Sequence, residues 1–240
     1  LALVVTIAST VIGIALAIAV ERTAMVLPSA SHRLILVPIL VSPLVGTVAW
    51  VTLGRPGTGF VNVLWRAITG SADPLFNIYS FAGVALVISL HVAPYIYVNI
   101  RSAMRNIDGA MEEAAALRGA QTTYRWRPIP IPLGWPAILS AALLVFVLTL
   151  ETFSVVALLG GPAGFVTLPF SIYLAINLPP GDWNYAAFEG LILVLVTGLL
   201  MFAYWRLVGP TSQYASIGGK GHRFSTKARG GLAALMSGIV

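Results

Sequence analysis

Two ionisable residues stand inside long apolar runs of this sequence, His91 and Glu151. A charge at such depth costs several kcal/mol unless it faces a cavity or a partner. Glu151 falls about fourteen residues into its run, or roughly 21 Å along a helix. It reads either as a group lining or gating a polar path near the outer side, or as a structural carboxylate, buried or hydrated at the outer boundary. His91 lies beside Pro94 and Tyr95. It reads as a pore-facing polar group or, more readily, as the partner of backbone left unpaired at Pro94. Nothing in the spacing pairs the two as an acid and a base. The three histidines are scattered and cysteine is absent, so no metal site, thiolate nucleophile or disulfide is expected. A phosphate-binding loop needs G-x-x-x-x-G-K-[ST], whereas Gly219-Lys220 is followed by Gly221 and Tyr214 stands at the first glycine position. No enzyme activity, no cofactor and no ATP binding by the chain itself are expected.

The elements that must position these residues follow from composition. The chain of 240 residues is 58% hydrophobic and 9% charged, with mean hydropathy +0.90. Soluble domains carry about 25% charged residues, so the solvent for this surface is the lipid bilayer. The net charge of +6 does not indicate nucleic acid, because the charges sit in short segments between apolar runs rather than on one face. Five runs are long enough to span a membrane as helices: about 1–20, 34–53, 78–100, 137–159 and 185–207. They lack the period-two alternation of a barrel strand. Pro38, Pro43 and Pro94 inside them are tolerable where neighbouring helices re-satisfy the backbone.

Twelve of the 14 Lys and Arg lie in 21–33, 101–136 and 206–229, and only Arg55 and Arg66 lie in the opposite loops. The positive-inside bias makes the first set cytoplasmic. The outer loops, 54–77 and 160–184, are rich in Gly, Pro and aromatics, as interfacial segments are. Within the second, 169–178 is apolar but too short to span, which predicts a re-entrant or interfacial helix. Trp50, Trp65, Trp183 and Tyr185 fall near outer boundaries as an aromatic belt would, and Glu189 is placed at the interface. Ser89, Asn99, Thr149, Ser154 and Thr197 are expected to join helices, and Gly13, Gly46, Gly83 and Gly198 to let helices approach closely.

The cytoplasmic stretch 101–136 is more than a connector. Asp108 suits the N-cap of a short helix, and Glu112 and Glu113 lie in its first turns, where the helix dipole favours negative charge. Ala114, Ala115, Ala116 and Leu117 propagate it, and Gly119 suits the left-handed position after its end. Thr122 or Thr123 can cap a second short helix. Pro128, Pro130, Pro132 and Pro136 are expected to prevent a continuous helix before the next span.

Glu113-Ala114-Ala115, Gly119 after three residues, then Ile129, Ile131 and Pro132 after nine resemble the EAA loop of ABC importer permeases. That pattern is EAA, three residues, Gly, nine residues, I-x-L-P, with Ile131 here in place of Leu. Arg101, Asp108 and Glu112 resemble its lead-in, and Glu151-Thr152-Phe153 a feature of the fourth span. The resemblance implies an all-α polytopic protein of the type I importer fold in the bacterial inner membrane. It implies that the loop 108–132 is a coupling helix docking on a cytoplasmic ABC ATPase dimer, with Ala114 and Ala115 packed closely and Glu113 in polar contact. It also implies a second permease half, fused or separate, and an extracytoplasmic substrate-binding protein. The nearest branch is that of iron(III), thiamine and aminoalkylphosphonate importers, with polyamine-like cargo also within reach. On that reading 1–208 is the permease domain, 209–230 a basic linker and 231–240 the start of a further apolar segment, so the chain is read as a fragment of a longer one. The alternative is a secondary transporter or channel without an ATPase, which predicts inverted repeats and paired broken helices.

Overall fold

In hydrocarbon a backbone can hydrogen-bond only within itself, and runs of this apolarity become helices. A computed structural model describes residues 1–22, 28–105 and 130–208; among them are helices and turns and no strand. The order is α1 (Ala2–Arg22), α2 (Pro28–Leu40), α3 (Pro43–Gly54), α4 (Phe60–Thr69), α5 (Phe81–Arg105), α6 (Pro130–Leu150), a π-helical turn (Val156–Gly160), α7 (Leu168–Asn177) and α8 (Trp183–Val208).

The core is organised around α5, which packs against α1, α6, α2, α3 and the π turn. Val84, Ile88, Val92, Ile96 and Ile100 repeat at four-residue intervals along it and are all buried, the spacing that makes one helical stripe. Against that stripe α1 sets Val5, Ala17 and Val20, and α6 sets Ile138, Ala141 and Val145. The pair α7–α8 joins this body mainly through α6. Only 11% of the apolar window of α8 is buried, against 61% for α5. Phe188, Leu191, Leu195, Leu199 and Phe202 thus form an outward apolar face that only lipid or another apolar helix suits.

Among the described residues three helices are long and apolar enough to cross a membrane, Ala2–Val20, Phe81–Met104 and Trp183–Arg206. They fall on the expected spans 1–20, 78–100 and 185–207. The other two expected spans are not single straight helices. The run 34–53 is broken into α2 and α3, which meet at 106°. The run 137–159 stops being α-helical after Leu150 and resumes as the π turn. The prolines before it do not hold the helix off either. α6 begins at Pro130 with Pro132 in its first turn, where amide groups have no intrahelical acceptors and proline loses nothing; Pro136 lies beyond that turn, inside the helix, as membrane helices tolerate. The apolar segment expected at 169–178 is a helix, α7.

Of the four glycines expected at close contacts, Gly13 is one: a β-carbon there would lie 2.6 Å from Ile96. Gly83 crowds the backbone of Ile78, while Gly46 and Gly198 have nothing within 4 Å of a β-carbon. Asn99, Thr149 and Thr197 do not join helices. Each donates to the carbonyl four residues back on its own helix, which satisfies the polar atom without a neighbour.

Candidate translocation site

The elbow between α2 and α3 follows from two prolines. The residue before a proline is pushed out of the helical region, and Ser42 is extended at φ −57°, ψ 137°, with Pro43 opening α3. In the elbow lies a cavity of about 240 Å³. Its walls are Pro38, Val41, Pro43, Gly46, Thr47 and Trp50 from the bent pair, Val87, Leu90 and His91 from α5, and Val155 ahead of the π turn. The Thr47 hydroxyl donates to Pro43 O at 2.6 Å and so offers little to a ligand.

That leaves His91 as the titratable group on this wall. It is half-buried and makes no hydrogen bond among the described residues. The expected repair of the backbone at Pro94 by His91 is therefore not made, and Pro94 is accommodated inside α5 with its ring buried. Trp50, expected near an outer boundary, lines this cavity.

Glu151 is not inside a helix. α6 tightens as it ends, with Glu151 N–H on Val147 O at 3.3 Å and Thr152 N–H on Thr149 O at 3.2 Å. The Thr149 and Thr152 hydroxyls take up Val145 O and Leu148 O. Glu151 stands exposed on the turn that follows. Phe153 then packs at a tilt against Tyr173 and Phe170 of α7, with ring centroids 5.2 and 6.2 Å away. Val155, four residues beyond Glu151, reaches the cavity wall; Glu151 itself does not line it. The structure does not bring His91 and Glu151 together in one site.

Three polar constructions are invisible to sequence patterning. Glu189, expected at the interface, is buried. It accepts a hydrogen bond from Ser171 Oγ at 2.9 Å, tying α7 to α8. At the other end of α5, Arg101 donates to His32 Nε2 at 2.9 Å. Arginine can only donate, so the proton of the ring is on Nδ1, which gives it to Tyr97 Oη at 2.9 Å. This chain of contacts fastens α2 to α5 just before the loop 108–132. The third is Asn62 on α4, fully buried between the end of α3 and the start of α5. Its only sequence signal is an asparagine on the polar side of an amphipathic helix.

Glu112, Glu113, Ala114, Ala115, Gly119 and Ile129 lie outside the described residues, as do the linker 209–230 and the segment 231–240. Ile131 and Pro132 lie in the first turn of α6.

The sequence profile of the family described as binding-protein-dependent transport system inner membrane component matches residues 9–212. The chain belongs to this family. It is similar to the ferric transport system permease protein FbpB of Actinobacillus pleuropneumoniae, 29% identical over 218 residues, which cover 90% of this chain and 31% of that protein. It is also similar to the molybdenum transport system permease protein ModB of Mycobacterium tuberculosis, 27% identical over 199 residues, 82% of this chain and 72% of that one. The chain thus spans about a third of the length of the ferric permeases it matches. In fold it matches a chain of the bacterial alginate ABC transporter solved with an alginate pentasaccharide-bound periplasmic protein. The TM-score is 0.70 at 18% identity, covering 88% of this chain and 77% of that one. Family and fold make this an all-helical ABC permease domain of type I architecture and a multi-pass protein of the bacterial inner membrane.

Proposed function

We propose that this chain is the membrane-spanning permease part of an ABC importer that couples substrate passage to a separate cytoplasmic ATPase dimer through the loop 108–132. Membership of the family over residues 9–212 carries this reading. The spacing of Glu113-Ala114-Ala115, Gly119, Ile129, Ile131 and Pro132 supports it independently. A second permease half, fused or separate, completes the path, and an extracytoplasmic binding protein delivers cargo to the outer loops. ATP hydrolysis belongs to the partner ATPase, and this chain supplies moving helices. Ferric iron is the first cargo to test, since the FbpB relatives cover 90% of the chain; thiamine, phosphonates and polyamines follow.

Two variants test the coupling loop. Gly119→Pro removes the residue best suited to the corner, and Glu113→Lys inverts the charge at the proposed contact. Each is expected to lower transport-coupled ATPase activity at least about tenfold, equivalent to about 1.4 kcal/mol of coupling, or to abolish co-purification with the ATPase. An intact complex with undiminished coupled activity in both variants removes the loop from this role.

The elbow cavity is proposed to lie on the substrate path, bounded by two broken helices as irregular backbone at membrane depth usually is. Gly46 lines it and has free space where its β-carbon would be. Gly46→Leu should therefore fill the cavity without straining the fold. Transport is expected to fall about tenfold with the melting temperature within about 2 °C of wild type. Normal uptake by a folded Gly46→Leu protein places the path elsewhere.

A further inference from the structure

α4 is a ten-residue helix whose two sides differ completely. Gly59 precedes it, and Gly70 ends it in the left-handed conformation at φ +68°, which glycine adopts without steric cost. At 100° per residue, Phe60, Val61, Val63, Leu64 and Ile68 fall on one continuous arc. Phe60, Leu64 and Ile68, one turn apart, are 70%, 62% and 73% exposed. No residue of the arc is polar. The opposite side carries Asn62, Arg66 and Thr69. Asn62 is bonded to the last carbonyls of α3, Gly54 O and Arg55 O, and to Phe76. Arg66 donates to Asn62 O at 3.3 Å and to Gly57 O.

These bonds fix the depth of the helix. Gly54 O also accepts from Ile78 N–H at 3.2 Å, three residues before the spanning helix α5 begins. α4 is thus fastened at the level where one membrane element ends and the next starts, opposite the Arg101 end of α5. It can neither leave the membrane boundary nor turn its apolar arc inward. In water that arc would forfeit about 25 cal/mol for each Å² left uncovered. A binding protein that docks and departs would uncover it in every cycle. The acyl-chain side of the lipid headgroups covers it permanently, and the basic, amphipathic pattern with Trp65 at the arc's edge is that of helices lying in this boundary.

We infer that α4 is an interfacial helix lying in the outer leaflet, with Phe60, Leu64 and Ile68 buried in lipid and Asn62 holding it at that depth. The test uses the absence of cysteine from the chain. Leu64→Cys, Ile68→Cys and, on the opposite side, Thr69→Cys are spin-labelled one at a time in the complete transporter reconstituted into liposomes. Collision rates with oxygen, which partitions into lipid, and with a water-soluble nickel chelate are then compared. Labels at 64 and 68 are expected to favour oxygen about threefold or more over the label at 69, as burial some 5–10 Å below the headgroups requires. Preference for the nickel chelate at 64 and 68 overturns the inference in favour of a water-exposed helix. Shielding of both labels from both reagents, with or without the binding protein added, overturns it in favour of a protein cover.

Discussion

Gly13→Val is expected to destabilise the purified transporter by about 2–3 kcal/mol, the upper range for overpacking a core, and to lower its yield in membranes. α1 and α5 share the most extensive helix–helix contact among the described elements, and Gly13 lies directly against α5 in it. A β-carbon there would sit 2.6 Å from both Cβ and Cγ2 of Ile96 and 3.1 Å from Ala93 O. None of these atoms can swing aside: Ile96 is branched at Cβ and stiff at χ1, and Ala93 O is backbone. Helix association in lipid rests on close van der Waals packing rather than on expulsion of water, so separating the axes costs contact along the whole interface. The control is built into the same protein. Gly46→Ala and Gly198→Ala place a β-carbon in open space and remove a flexible residue from a helix. They should leave the melting temperature unchanged or raise stability by about 0.5–1 kcal/mol. If Gly13→Val melts with these controls, the α1–α5 contact is not what holds the fold.

Hydropathy located the long apolar helices, passed over α4 in the outer loop 54–77 and failed at the breaks, for a reason visible in the residues. A window average adds up side chains and is blind to the direction of the backbone. Pro38 and Pro43 read as tolerable inside one span, whereas the extended Ser42 before Pro43 turns that run into a 106° elbow. At Glu151 neither Gly nor Pro announces the stop. There the closing turn is built by Thr149 and Thr152 hydroxyls bonded to their own helix, an option threonine has in any helix. The partners of Glu189 and His32 lie 18 and 65 residues away. No local pattern encodes such a pairing, since an isolated polar residue in an apolar run looks the same whether it lines a path or ties two helices. His91 shows the converse: its exposure to a cavity depends on an elbow in a different helix. The family, by contrast, is legible from one short stretch, the spacing of Glu113-Ala114-Ala115, Gly119, Ile131 and Pro132.

Asn62→Ala is expected to cost about 1–3 kcal/mol, from the two hydrogen bonds it removes at Phe76, although it changes no apolar contact of the core helices. The Asn62 amide nitrogen donates to Phe76 O at 2.7 Å, Arg55 O at 3.1 Å and Gly54 O at 3.3 Å, and its carbonyl accepts from Phe76 N–H at 3.0 Å. Truncation does not orphan all four groups. Gly54 O keeps Ile78 N–H and Arg55 O keeps Gly59 N–H. The Phe76 N–H and C=O both lose Asn62 in a part-buried site, each bond contributing about 0.5–1.5 kcal/mol. Hydrogen exchange should therefore accelerate at Phe76 before it does along α5. Asn62→Asp separates the two halves of the contact. It keeps an acceptor for Phe76 N–H but points a carboxylate at three carbonyl oxygens, so it should be at least as damaging as alanine at neutral pH. An aspartate variant as stable as wild type would mean that the donated bonds contribute nothing. The clasp would then reduce to the single Phe76 N–H bond, and α4 would hang from α3 by its backbone alone.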